Sequence, residues 1–403
     1  MNDGFLRYPF IFSLIFLCTS SIWSHSYGLN MSWLSPVITN GTCLGSMVGD
    51  PKQADNCLAW TRHETASPLF DAARNVIYIG GSDGLLHVIS ARDGSLKKKI
   101  RLPEGNLHAK PVLSENYLFF GTSAGDIIKM DVDTGLFFWK LKVDAEVENQ
   151  IVLHGSTLFF VTGLSTIYAV DAHTGTIQWN QKRPLPSHIF IGTQSNPLLI
   201  SLKENNEKLI LVCGHASGRV DFYEANTGKP IFNVMVGDLA FEFPDVVATP
   251  VFDHSSIIVA SFNRGVMSLD PKTGEIRWRL IDKEKTKLAT AEGLIFAAGN
   301  KSVVAINAQD GKPVWRFTFD KGAPTNMIVK NGFLYFGSDH NALYVLRAKT
   351  GKPMQYIGSA QGFAGEFDFS SNQLFAMSTA GYLYAMSPDF KGIVQRAISS
   401  TLF

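Results

Sequence analysis

A unit of about 40 residues recurs from one end of this chain to the other, and that recurrence constrains the fold more than any single motif. Ser256 to Trp278, SIIVASFNRGVMSLDPKTGEIRW, shows the unit in full. Two short apolar runs, Ser256 to Ala260 and Val266 to Leu269, flank a Phe-Asn-Arg-Gly turn, and Asp-Pro-Lys-Thr-Gly leads into a third run ending at Trp278. Three antiparallel strands follow from this spelling. Gly274 suits a loop position of positive φ, while the Asp and Thr before it can hydrogen-bond the turn backbone. Trp278, four residues later, is large enough to wedge between one unit and the next.

Aligned on the turn glycine, the units fall at Gly94, Gly135, Gly175, Gly228, Gly274, Gly311, Gly351 and a degenerate Gly392, with gaps of 41, 40, 53, 46, 37, 40 and 41 residues. A period near 40 with about four short strands per unit is that of a propeller blade; a helical repeat would carry a 3.6-residue stripe instead. The sequence therefore predicts an all-β, eight-bladed β-propeller of four-stranded antiparallel blades. The docking position holds Trp139, Trp179, Trp278 and Trp315, with Phe232 in the fourth unit and Lys98, Gln355 and Arg396 in units one, seven and eight.

A propeller grows by adding blades around one ring, so 403 residues need only one domain. Formal net charge of +1 with 18% charged residues argues against a nucleic-acid-binding surface. No run after residue 23 is long and apolar enough to span a bilayer. Pro9 to Trp23, behind Arg7, reads as the apolar part of an export signal occupying residues 1–26, with Ser24 and Ser26 placing cleavage before Tyr27 and Thr19 and Ser21 offering a second site. Cys18 raises the alternative of a lipid anchor, though Leu17 before it is bulkier than such sites favour. Cys43 and Cys57 enclose 13 residues rich in Gly, Asp, Pro and Asn, a spacing that suits a loop-closing disulfide in an oxidising compartment. Such a loop is worth roughly 3 kcal/mol. Cys213 sits in an apolar run and reads as a small buried hydrophobe.

Residues 27–55 read as an irregular N-terminal tether, with the propeller occupying 56–403. Asn56 to Thr61, NCLAWT, resembles the last strand of a blade, with Trp60 at the docking position; pairing it with the last unit would close the ring like a clasp. Gly392 to Ser399 competes for that place. Units four and five are stretched by long connections before their first strands, Gln181 to Asn196 and Gly237 to Ala248. Lying at the same place in adjacent units, they emerge side by side on one face of the ring, as insertions on a binding face do. They carry Ile189, Phe190, Ile191, Phe241, Phe243 and Pro244, rimmed by Asp238, Glu242 and Asp245. Two readings remain open: a protein contact, or side chains folded back on the blades.

Catalytic signatures are missing from the sequence: it holds no GxSxG, HExxH, Gly-rich phosphate loop or CxxC. The turn acids Asp131, Asp171 and Asp270 recur too regularly to serve one site and read as turn caps. No catalytic, cofactor-binding or metal-binding residue is assigned.

The endings DPKTGEIRW, DVDTGLFFW and DAHTGTIQW resemble the tryptophan-docking repeats of quinoprotein alcohol dehydrogenases. Within that superfamily, eight short blades behind an export signal are most similar to the outer-membrane assembly factor BamB family. The resemblance spans about Asn56 to Met386 and is most specific at GHASGRV, 214–220, and DVVATPV, 245–251. It implies a non-catalytic periplasmic scaffold, monomeric within a complex, whose loops dock on a POTRA domain of a BamA-like barrel-inserting protein. The matching positions here are His188 to Gly192 and Asp245 to Val247. The family's arginine near Ile191 or Gly192 and its second acid at Val247 are absent. A quinone-cofactor or sugar-binding propeller enzyme or sensor is the alternative, although the vicinal cysteine pair of those dehydrogenases is also absent.

Overall fold

The structure is a computed structural model that describes residues 29–38, 64–185, 195–202, 208–340, 342–359 and 362–388. Eight four-stranded antiparallel sheets form the eight expected blades. In each, strand A lies innermost and strand D forms the outer rim; blade 1, for example, runs Leu69–Asp71, Val76–Ile79, Leu85–Ser90 and Leu96–Arg101. The middle strands are buried on both sides, as in Asp126–Asp131, while outer strands such as Phe137–Lys142 alternate. Apolar clusters fill the seams between neighbouring blades: Leu86 and Ile100 of blade 1 meet Leu118, Ile128 and Met130 of blade 2.

Local turn chemistry sets the blade geometry. The Asp171 carboxylate accepts from the amides of His173 and Thr174 at 2.9 and 2.8 Å, and Gly175 donates its amide to the Asp171 carbonyl at 2.8 Å with φ +74. A β-bulge follows in every blade where strand C meets strand D, as between Ala169 and Val170, bending the outer strand toward the next blade. That bend delivers the docking residue. The indole N–H of Trp139 donates to the Ala172 carbonyl of the following blade at 3.3 Å, Trp179 to Ala225 at 2.9 Å, Trp278 to Ala308 at 2.8 Å and Trp315 to Ala348 at 2.9 Å. Each ring covers the turn glycine beyond, and a Cβ on Gly311 would stand 2.6 Å from the Trp278 ring. Glycine is needed there for space as well as for φ.

Ring closure corrects the sequence reading. The outer strand of blade 8 is Leu29–Pro36, paired antiparallel with Tyr382–Pro388. It comes from the stretch read as an irregular tether, so the propeller begins at residue 29. Trp33 stands in the docking position, its indole donating to Ala91 of blade 1 at 3.0 Å. Trp60 and the whole of Asn56 to Thr61 lie outside the described residues, as do Gly392 to Ser399. Residues 1–26, Cys18, Cys43 and Cys57 also lie outside them. Cys213 is buried, and burial pushes its thiol up to about 12.

Candidate functional site

Connections from strand D of one blade to strand A of the next share one face of the ring, opposite the DxxTG turns. On this face the Asn263 side chain gathers the first half of the 237–248 connection. Asn263 accepts the Asp238 amide at 3.1 Å and donates to the carbonyls of Asp238 at 2.8 Å, Phe241 at 3.4 Å and Glu242 at 3.2 Å. Gly218 and Gly237 allow the backbone to close against Pro244; a Cβ on Gly237 would meet the Pro244 carbonyl at 2.4 Å.

This packing divides the residues expected to face a partner. Phe243, at φ +56, turns its ring edge-on to Phe262 at 6.2 Å. Pro244 and Asp245 are buried, and Ser261 donates its hydroxyl to the Pro244 carbonyl at 3.0 Å. Asp245 is thus removed from the outward-facing set and Phe243 is left half-buried, because the left-handed residue reverses the chain onto the blade. Phe241 remains 61% exposed, with the Lys283 ammonium 5.5 Å from its ring. Leu239 and Ile281 are also exposed, Ile281 to 76%. Ile281 comes from the next connection, of ordinary length, which drew no attention in the sequence.

Ile189, Phe190 and Ile191 in the companion connection lie outside the described residues; its two anchors do not. Buried Arg183 donates Nε to the Ser165 carbonyl at 3.2 Å and Nη1 to the Gly214 carbonyl at 3.1 Å, and pairs with Asp221 at 3.4 Å. Ser195, at the far end, accepts the Gly214 amide through its hydroxyl at 2.8 Å. Sequence reasoning passed over Arg183. Its signal is a cation at the step where four other blades place the apolar Leu102, Val143, Val236 and Phe319.

The channel mouth on this face carries a second feature. One polar residue per blade stands at or beside the start of the innermost strand: Ser67, Lys110, Gln150, Asn196, Thr249, Lys287, Asn326 and Glu366. Neighbours cap one another, with the Gln150 amide donating to Asn196 Oδ1 at 3.0 Å and the Glu366 amide to Ser67 Oγ at 2.9 Å. Lys110 pairs with Asp368 at 3.0 Å. Burial pushes the Glu366 carboxyl up, opposed by Lys110 and Lys287, and pushes the Lys287 ammonium down, opposed by Glu366. A sequence trace of this ring exists, since a polar residue precedes proline at Ser67-Pro68, Lys110-Pro111, Asn196-Pro197 and Thr249-Pro250. Among the described residues no cluster of three metal-ligating side chains occurs, and no helix is long and apolar enough to cross a membrane.

A family model described as outer membrane protein assembly factor BamB matches residues 59–299 and 264–388. A curated outer membrane protein assembly factor BamB from Shewanella oneidensis is 24% identical over 237 residues, 59% of this chain and 49% of that protein. The match thus spans about half the length of that relative. The crystal structure of BamB from Moraxella catarrhalis superposes with a TM-score of 0.68 at 19% identity, covering 80% of this chain and 95% of that one. A quinohemoprotein alcohol dehydrogenase from Pseudomonas putida gives a TM-score of 0.65 at 11% identity, covering 89% and 76%. At these identities the two structures share the fold.

Proposed function

The chain belongs to the outer membrane protein assembly factor BamB family, and from that premise we propose that it is a non-catalytic scaffold of outer-membrane β-barrel assembly. It acts in the periplasm, at the inner face of the outer membrane, and binds a POTRA domain of a BamA-like protein. The family match over most of the blades carries this reading. The ridge of Leu239, Phe241 and Ile281 supports it: Leu239 and Phe241 stand exposed on a connection pinned by Asn263 and lose little freedom when covered. Export by the N-terminal segment and the Cys43–Cys57 disulfide belong to the same reading.

Phe241→Asp places a charge at the centre of this ridge and should weaken capture of the BamA-like partner's periplasmic region by on the order of 2 kcal/mol or more. The thermal melt of the free protein should stay unchanged, because the ring makes no core contact. Normal capture by the variant would move the contact to another face.

A second reading from a different class rests on the channel mouth. Lys287 and Glu366 face a polar ring that could hold a small polar ligand, in the place where a channel-binding enzyme or sensor would work. Calorimetric titration with quinone and calcium, together with the absorbance of the purified protein, separates the two. Heat or a bound chromophore would favour the channel.

A further inference from the structure

The channel ring holds one unpaired ammonium and one unpaired carboxyl, two blades apart. Lys287 of blade 6 and Glu366 of blade 8 make no side-chain hydrogen bond and no ion pair among the described residues. On blade 7 between them, Asn326 stands at the same step and likewise makes no side-chain hydrogen bond. The charged groups around them are taken. Asp368 pairs with Lys110 at 3.0 Å and accepts the Phe70 amide at 2.7 Å. Lys330 donates to the Ser370 carbonyl at 3.4 Å and lies 4.4 Å from the centre of the Phe369 ring.

Blade 7 separates Lys287 from Glu366, so the attraction between their charges acts across the channel. Burial works against both charges, yet solvent still reaches part of each side chain, as it does for groups that open onto a narrow channel. Propeller geometry does not require a charge here, because five blades place a neutral residue at this step: Ser67, Gln150, Asn196, Thr249 and Asn326. A poorly solvated charge without a partner costs stability, and one of each sign doubles that cost. A single small molecule offsets both terms if it carries a carboxylate for Lys287 and an ammonium for Glu366. A purely anionic ligand satisfies the first and is repelled by the second; a purely cationic one does the reverse. A free amino acid holds both charges within a few atoms, and the Asn326 carboxamide has a donor for its carboxylate and an acceptor for its ammonium.

We propose that Lys287, Asn326 and Glu366 form a site in the channel mouth for a free amino acid, its carboxylate on the Lys287 ammonium and its ammonium on the Glu366 carboxylate. The proposal deepens the channel reading and rests on it; the scaffold reading stands or falls separately. Its test is calorimetric titration of the full chain with the common L-amino acids one at a time, then with the amide and the N-acetyl derivative of the one that binds best. The amide lacks the carboxylate and the N-acetyl form lacks the ammonium, so each should bind more weakly by on the order of tenfold to a hundredfold. Lys287→Met and Glu366→Gln should each weaken the parent amino acid by a similar factor. The thermal melt of the ligand-free Lys287→Met variant should rise, because an unpaired buried charge has been removed. A lower melt with unchanged affinity would make Lys287 structural and overturn the proposal, as would equal affinity for the amino acid and its amide. Heat with quinone but with none of the amino acids would overturn it and leave the channel reading standing; heat with neither would remove both.

Discussion

The seam between blades 5 and 6 and the seam between blades 1 and 2 solve the same packing problem with different chemistry. At the first, the Trp278 indole covers Gly311 and donates to the Ala308 carbonyl. At the second, Lys98 reaches over Gly135 to the Thr134 carbonyl, and the residue matching Ala308 is Val132. The pairing holds around the ring. Wherever a tryptophan docks, the carbonyl it takes belongs to alanine, at residues 91, 172, 225, 308 and 348. Where Phe232 docks, the matching residue is Pro271. A flat indole can lie on the turn only if the side chain beneath it is small, so docking residue and turn residue are one unit of packing. Blade 1 has given up that unit, and its rim is free to carry charge.

Removing the ring from an intact seam should have the largest effect. Trp278→Ala deletes both the hydrogen bond and a half-buried ring and should cost about 3 kcal/mol in denaturant unfolding. A cost as small as that of Lys98→Ala would show that the seams are equivalent and break the comparison. Grafting sharpens it in the other direction: Lys98→Trp alone should gain nothing against Val132, whereas Lys98→Trp with Val132→Ala should show favourable coupling of about 1 kcal/mol in a double-mutant cycle. Additive effects would refute the pairing of ring and alanine.

The smallest effect concerns the turn acids. Burial pushes the Asp270 carboxyl up, but the amides of Lys272 and Thr273 and the Arg277 guanidinium outweigh it and hold the group at about 2. A folded-state value below the ordinary carboxylate range means that this stabilisation is present above about pH 4 and is lost as pH falls toward 2. Its size, screened at a partly exposed site, is on the order of 1 kcal/mol. Asp270→Asn should flatten that part of the acid limb in urea melts. Blade 7 carries Arg347 at the matching turn position and has no carboxylate there to titrate, so Arg347→Ala should leave the same limb unchanged.

The outward-facing site was legible only in part. Phe241 and Phe243 differ little as sequence, being aromatic residues two apart in one polar connection. The positive φ of Phe243 and the three carbonyls gathered by Asn263 set one ring half-buried against Phe262 and leave the other in solvent. Asn263 belongs to the turn of the following blade, so nothing near Phe241 in sequence announces its hold. Ile281 joins the ridge from a connection of unremarkable length.

The sequence by itself determined the blade: its period, its turn glycines, the acids that cap them and the tryptophans that dock the next unit. These are short-range instructions, satisfied within about 40 residues and repeated, so each copy reinforces the reading of the others. Tertiary structure alone decided what closes the ring and what lines it. Leu29–Pro36 carries no turn glycine to mark it as a strand, and it pairs with residues more than 340 positions away. Only the empty outer edge of blade 8 makes LNMSWLSP the partner that its sheet requires. The channel ring has the same character: it takes one polar side chain from each blade, so it exists only once eight separate copies are brought around a common axis.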